Sequence, residues 1–550
     1  MNNQLNQLII APTTLAGTSL TLIWQQPNNH QNIHGYQIFQ DNQLIGSVPT
    51  SHTYFNVTHL DPETNYLFQV KTTPSDNKIF EDIGSLSVTT KAQGITVDIT
   101  KPPYAIDPSG QTLSTEKLQQ AIDDLPQNGI LLIPANAEIL SGALDLKSDM
   151  TLQIDGTLKG SLNPDDYIYS PKQRLKTTAH VNSDGLILTR YEGWEMACYR
   201  SLINAGHLNP QDRTTPNCQN ITICGQGTIY GGGNQLGTAM KKIYADKKKY
   251  PRYVSDGIGG RRVRGRLISF IQCQNVHLTG ITVQNPPCWT IHLIYCDTVT
   301  TNGIHIKSQG IDNGDGWDPD SSNNCMIFDT TFDTGDDCIA LKSGKNPEGN
   351  QINIPCQNIE IFNLEMTSGH GMAIGSEESG GIANVSIHDC LIQGTDSGIE
   401  LKANAVRGGY IRNVTIRDCQ IDSLLVHSVS YNVDGKPADH LPHFSKICLE
   451  NVEIFGNSKD IDVMGHPIAA KNKAVELVGF ENPHNPKDNT AYIEQISFDH
   501  VRLDNPTNTF FIDKSKNVNL RNAVTRNGDP VSIQFGQNIK NVTIDSHPNS

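Results

Sequence analysis

The sequence predicts an all-β chain, a right-handed parallel β-helix preceded by a β-sandwich, and three observations carry that expectation. A degenerate repeat that opens on Asn and alternates apolar with polar residues recurs along the chain: NITICGQGTI from 220, NVHLTGITV from 275, NIEIFNLEM from 358, NVSIHDCLI from 384 and NVTIRDCQI from 413, followed by NVEIFG, NVNLRN and NVTI. Its middle copies lie roughly 26 to 29 residues apart, the length of one solenoid coil. Every copy has the same polarity and hairpin dipeptides are sparse, as parallel stacking requires. The reactive side chains Asp315, Asp336, Asp337, His370 and Lys402 recur about one coil apart, so stacked coils would line them up on one face.

Composition narrows the functional classes. The 550 residues carry a formal net charge of −15 with 18% charged residues, 46 Gly and 28 Pro. That is a turn-rich globular chain without the basic field that nucleic acid requires. No run approaches the roughly 18 apolar residues of a membrane span. The opening MNNQLNQLIIAPTTLAGTSLTLIW has no basic start and no unbroken apolar stretch, so a cytoplasmic location is expected, or a periplasmic or secreted one if a signal has been removed. All 12 Cys lie at or after Cys198, which favours buried thiols over a disulfide framework. Nothing in the sequence sets the oligomeric state.

Residues 1–92 read as the sandwich, residues 93–103 as a linker and residues 104–550 as the solenoid. SLTLIW, GYQIFQ, NYLFQVKTT and SLSVTT alternate apolar residues between turns, as in a small β-sandwich. Trp24 on an early strand and LDPETNY ending at Tyr66 resemble a fibronectin type III domain, in which such a tryptophan is core and such a tyrosine forms a corner. A spacer is the expected role. STEKLQQAIDDL, from 114, predicts a helix with Ser114 or Thr115 as N-cap and Leu118, Ala121, Ile122 and Leu125 on one face. It would cover the exposed strand edges of the first coil.

Stacking gives the acidic motifs their chemistry. DNGDG, TGDDC, GHG and GIELK would bring Asp315, Asp336 and Asp337 within about 10 Å of one another, with His370 and Lys402 on neighbouring coils. Inverting glycoside hydrolysis uses one protonated carboxyl on the leaving oxygen and one carboxylate on a water, about 6.5 to 9.5 Å apart. Crowded like charges keep one acid protonated. Singly, an Asp in such a motif is a turn former; the column makes the set catalytic. Asp318 and Asp320 read as structural, Cys338 as a buried strand residue, and Trp289 and His292 as wall and core.

The four motifs in this order, with Trp289 upstream, resemble the polygalacturonases of glycoside hydrolase family 28 over roughly residues 104 to 550. The resemblance implies Asp336 as general acid, Asp315 and Asp337 as the residues that bind and activate water, His370 as support for the acid, and Lys402 as holder of a uronate carboxylate. It also implies inverting attack on α-1,4-linked galacturonate in pectic poly- or oligosaccharides, with no metal and no cofactor. One position departs from the family. Polygalacturonases carry Arg two residues before the lysine, and here it is Glu400. Glu400 would repel a uronate, accept from neutral hydroxyls, or pair with Lys402 on the same strand face. Arg407 resembles a position in bacterial exo-acting members and would restore the positive charge. Tyr431, two coils further on, would stack on or bond to sugar.

Residues 241–266 form a basic run, KKIYADKKKYPRYVSDGIGGRRVRGR, read either as a solvated loop or as a rim that recruits polyanions. The segment 162–266 has few repeats and is expected to loop over one end of the cleft, favouring exo attack. The alternatives are a hydrolase of rhamnogalacturonan or another decorated pectin, suggested by Glu400; a pectate lyase on the same solenoid; and a catalytically silent carbohydrate-binding or adhesin β-helix.

Overall fold

In the computed structural model, the described residues are 8–27, 33–74, 82–431, 433–457, 459–461, 467–468, 470–482, 490–505 and 507–545. The chain winds into a parallel β-helix. Its coils build a 21-stranded parallel sheet and a 12-stranded parallel sheet. The long strands of the first sheet turn a corner within themselves: Asn323–Asp333 pairs with Asp297–Asn302 at one end and with His305–Lys307 at the other.

Apolar alternation sets the register. Val299, Cys325, Ile359, Val385, Val414, Ile447 and Ile496 occupy consecutive rungs of one inward column, all essentially inaccessible to solvent. Burying each such side chain is worth roughly 1.5 to 3 kcal/mol, and a slip of one residue would turn the whole column outward. The leading Asn of each repeat makes the bend. Asn220, Asn275, Asn358, Asn384 and Asn413 all have φ of 56° or 57°, a left-handed conformation that Asn tolerates better than other residues with a side chain. Their amides also bond from coil to coil, Asn384 Nδ2 to Asn358 Oδ1 at 3.0 Å and Asn413 Nδ2 to Asn384 Oδ1 at 2.9 Å, the expected ladder.

The expected helix spans Thr115–Asp124 and buries Leu118, Ala121 and Ile122 over the first coil. Ser114 stands at its N-cap without a capping bond; its hydroxyl donates to Thr112 O instead. The linker expectation also needs adjustment. Thr96–Asp98 pairs in parallel with Gly129–Ile133, because its alternating residues extend the first coil's sheet, so solenoid pairing begins inside residues 93–103.

The sandwich forms around Trp24 and Tyr36, which meet edge to face at 5.2 Å. Tyr66 Oη accepts the Asp61 N–H at 2.9 Å, making the corner. The domain docks on the solenoid. Tyr54 packs 5.2 Å from Phe328, which stacks on Phe362 at 4.7 Å, which in turn stacks on His388 at 4.8 Å. Ala11 and Ile23 complete this apolar contact, and Arg417 Nη1 donates to Gln26 Oε1 at 3.1 Å. The expected spacer is thus seated against the solenoid wall.

Candidate active site

The 12-stranded sheet carries the site. Its strands Trp317–Asp320, Asp337–Leu341, Gly371–Ser376, Ile399–Asn404 and Leu424–Val429 are successive rungs, with Trp317 opposite Ile339, Asp337 opposite Gly371, Gly375 opposite Lys402 and Lys402 opposite His427. At the strand entrances the backbone itself ties the acids together. Gly316 N–H donates to Asp337 O at 2.9 Å, His370 N–H to Asp336 O at 3.0 Å, and Ser397 N–H to His370 O at 3.1 Å. Asp315, Asp336, Asp337 and His370 therefore share one face, as the motif spacing predicts.

The glycines of GHG explain how a histidine fits there. Gly369 and Gly371 have φ of 82° and 91°. A Cβ on Gly371 would lie 2.2 Å from Gly398 O, and one on Gly369 would lie 2.4 Å from Asp336 O. Glycine alone satisfies both the left-handed backbone and the close approach.

Three cations face the three carboxylates, and His370 reaches both Asp336 and Asp337, the latter at 3.6 Å. His370 Nδ1 lies 3.1 Å from Asp336 Oδ1, Lys402 Nζ lies 3.6 Å from Asp337 Oδ1, and Lys342 Nζ lies 3.3 Å from Asp315 Oδ2. Burial raises the Asp315 carboxyl well above its ordinary range, helped by Asp336 and Asp318 and only partly opposed by Lys342. Burial also opposes ionisation of Asp336, but His370, the Asp337 N–H and Lys402 outweigh it and hold this carboxyl well below its ordinary range. His370 is buried too, yet Asp336 and Asp337 push its imidazole well above the usual histidine range. The surroundings thus push the two groups apart, Asp315 towards its protonated form and the Asp336–His370 pair towards carboxylate and imidazolium.

One carboxylate oxygen each of Asp336 and Asp337 and a ring nitrogen of His370 lie within 4.8 Å of one another, and Asp315, from the preceding coil, lies near enough for the Asp336 charge to raise its carboxyl. Asp315 Oδ1 accepts no hydrogen bond from the described residues, so this buried carboxyl has an oxygen left for a ligand, whereas Asp337 Oδ1 faces both Lys402 and His370 at 3.6 Å.

Several supporting residues were not singled out in the sequence. Lys342 is 5% exposed and lies 4.5 Å over the Trp289 ring, which stacks on Tyr191 at 4.7 Å. Asn313 Nδ2 donates to Asp336 Oδ2 at 3.3 Å while its Oδ1 accepts from Arg261 Nε at 2.9 Å and Arg264 Nη2 at 2.6 Å. Asp396 Oδ2 lies 3.7 Å from His370 Nε2. The signals were present, since Asn313 belongs to DNGDG and Lys342 ends the strand after TGDDC, but their partners are set by register. Asp318, Asp320 and Cys338 are fully buried, as is His292, and Trp289 is a wall residue. Asp320 is held 3.0 Å from Arg190 Nη1.

The expected substrate contacts divide. Tyr431 is half exposed and its phenol reaches Lys402. Glu400 has both oxygens engaged, Oε2 2.9 Å from Lys402 Nζ and Oε1 2.8 Å from His427 Nε2, so it pairs inside the protein instead of presenting a bare carboxylate to sugar. Arg407 is fully buried and donates to Ser376 O at 3.0 Å and Asn346 Oδ1 at 2.7 Å. It braces loops behind the site, because its side chain points into the packed interior.

The basic run is also partly internal. Arg261 is paired with Asp256 and Asp312, Arg262 with Glu192 and Asp434, and Arg264 with Asp312. Lys242, Lys247, Lys248 and Lys249 stay exposed. The hairpin Ile187–Tyr191 and Trp194–Cys198 joins this network: Glu192 pairs with Arg262, Trp194 Nε1 donates to Asp434 Oδ2 at 3.4 Å, and Lys345 Nζ lies 3.3 Å from Asp434 Oδ1. These loops form a cross-linked wall beside the acids. Two surface hollows, of about 590 Å³ near Asp155 and Gly225 and about 440 Å³ near Asp329 and Asn363, contain none of the catalytic cluster.

Comparison with known proteins places this geometry. The Fibronectin type III domain model matches residues 8–79. The chain is 27% identical to the exo-poly-alpha-D-galacturonosidase of Dickeya chrysanthemi over 597 aligned residues, covering 96% of this chain and 91% of that one. It is 25% identical, over 70% of its length and 87% of the other, to the endo-polygalacturonase of Pectobacterium carotovorum subsp. carotovorum. The solved family 28 exopolygalacturonase of Yersinia enterocolitica superposes with a TM-score of 0.81 at 25% identity, covering 99% of this chain and all of that one. The model described as Glycosyl hydrolases family 28 matches residues 128–454, which hold every acid of the site and more than half the chain, and the protein belongs to that family.

Proposed function

We propose that the protein is an inverting, exo-acting hydrolase of α-1,4-galacturonosyl bonds in pectic poly- or oligogalacturonate. The observation that carries the reaction type is the cluster of three acids with His370, Lys402 and Lys342, in which Asp315 retains an oxygen without a hydrogen bond while Asp336 shares a proton with His370. The Asp336–His370 pair acts as one acid. The imidazolium proton of His370 moves through Asp336 to the glycosidic oxygen as the C–O bond breaks, leaving a neutral imidazole beside the Asp336 carboxylate. Asp315, once ionised, takes the one proton lost by the water that forms the new bond at the anomeric carbon, and Asp337, held by Lys402, orients that water. A cluster of mixed protonation serves catalysis; carbohydrate binding alone does not call for it.

Galacturonate is supported by family membership and by Lys402 beside Asp337; exo attack is supported by the loop wall and by the relatives in Dickeya and Yersinia. The experiment is product analysis on polygalacturonate, saturated oligogalacturonides and rhamnogalacturonan, with Asp336→Asn as control. Release of one small product from the earliest time points, without absorbance from unsaturated sugars, is expected, and proton NMR should show the β anomer first. A ladder of oligomers would overturn exo action. Unsaturated, chelator-sensitive products would overturn hydrolysis.

A further inference from the structure

Glu400 belongs to an alternating line of charges drawn from four strands of the active-site sheet. Lys473 pairs with Glu476, Glu476 Oε1 lies 2.7 Å from His427 Nδ1, His427 Nε2 lies 2.8 Å from Glu400 Oε1, Glu400 Oε2 lies 2.9 Å from Lys402 Nζ, and Lys402 Nζ lies 3.6 Å from Asp337 Oδ1. The side chains of His427, Glu400 and Lys402 are each less than 10% exposed, so water does little to screen them. Both ring nitrogens of His427 are spent on carboxylates, which only an imidazolium can serve with two N–H donors at once.

We propose that Glu400, His427 and Glu476 form a clamp that fixes the Lys402 ammonium between Glu400 and the catalytic Asp337, with His427 as its positioning residue. A single oriented ammonium then meets the ligand carboxylate at this subsite. The proposal rests on the galacturonate reading above.

The physical consequence is specific. Without His427, Glu400 keeps its charge and has Lys402 as its sole strong partner, so it draws the ammonium away from Asp337 and from the ligand. Removing the Glu400 charge as well releases Lys402 again. The groups facing His427 among the described residues are Glu400 and Lys402 from one neighbouring strand and Glu476 and Lys473 from the other.

The test uses the full chain and trigalacturonate. His427→Gln should raise KM about tenfold with kcat changed less than about threefold, and the double variant Glu400→Gln/His427→Gln should bring KM back to within about threefold of wild type. A merely structural histidine would give no such recovery. An unchanged KM in His427→Gln, or a double variant as impaired as the single one, would overturn the clamp. Should His427→Gln fail to fold, NMR of labelled histidine in the wild type decides. An imidazole still protonated at pH 8, whose signal moves in Glu476→Gln, supports the clamp, and a neutral one at that pH overturns it. Failure of the wild type to release galacturonate would count against the substrate reading alone, because the NMR result is independent of substrate.

Discussion

Lys342 reaches across one coil to place its ammonium 3.3 Å from Asp315 Oδ2. It is the cation that limits how far burial, Asp336 and Asp318 raise the Asp315 carboxyl. A base must be ionised to work, so activity falls as pH drops through this raised pKa. Lys342→Met removes the opposing charge, and the pKa should climb further. The acid limb of kcat/KM should move to higher pH by about one unit, with about a tenfold loss at a pH on that limb. A pH profile of the variant checks this, and an unmoved acid limb would show that Asp315 is not the base.

Asn313 holds the other half of the reaction. Its amide donates to Asp336 Oδ2 and is itself fixed by Arg261 and Arg264, so it orients the acid. Asn313→Ala should lower kcat about tenfold and leave KM within about threefold, since one hydrogen bond to a charged group is worth roughly 1.5 to 3 kcal/mol. Steady-state kinetics separate the two parameters, and a loss confined to KM would place Asn313 in substrate binding.

These two residues show where sequence reading stops. The Asn repeats announced the solenoid because each bend needs a left-handed residue and each coil restates it. Asp315, Asp336, Asp337 and His370 were legible because glycine-flanked motifs at strand entrances recur coil by coil. Lys342 lay next to a legible motif but its pairing with Asp315 did not show, and His427 and Glu476 gave no such sign. His427 finds Glu400 27 residues away and Glu476 49 residues away, and the unequal coil lengths hide that these are adjacent rungs. Arg407 is turned inward for the converse reason, since a motif fixes residue type but packing decides which way a long side chain points, whereas Glu400 makes the pairing with Lys402 that their shared strand face allows.

The sandwich is predicted to stabilise the solenoid wall. Tyr54 is 8% exposed and continues the aromatic stack of Phe328, Phe362 and His388. Tyr54→Ala should destabilise the docked state by about 3 kcal/mol, as truncation of a buried aromatic side chain does. Thermal unfolding should then show the sandwich melting earlier, with activity per folded molecule unchanged at lower temperature. Identical melting curves for the two proteins would mean that this contact contributes nothing to stability.

His427 also makes stability depend on pH. Burial would depress its pKa, but the hydrogen bonds to Glu400 and Glu476 prevail and push it up to about 9 from an ordinary 6.5. A raised folded-state pKa stabilises fully below 6.5, where both states bind the proton, and the gain is lost as pH rises through about 9. The full contribution is about 3 kcal/mol by linkage. Urea unfolding should therefore show the wild-type midpoint falling between pH 6.5 and 9.5. In His427→Gln, that fall should be smaller by the amount His427 supplies. Parallel curves for the two proteins across this interval would show that His427 titrates alike in the folded and unfolded chains.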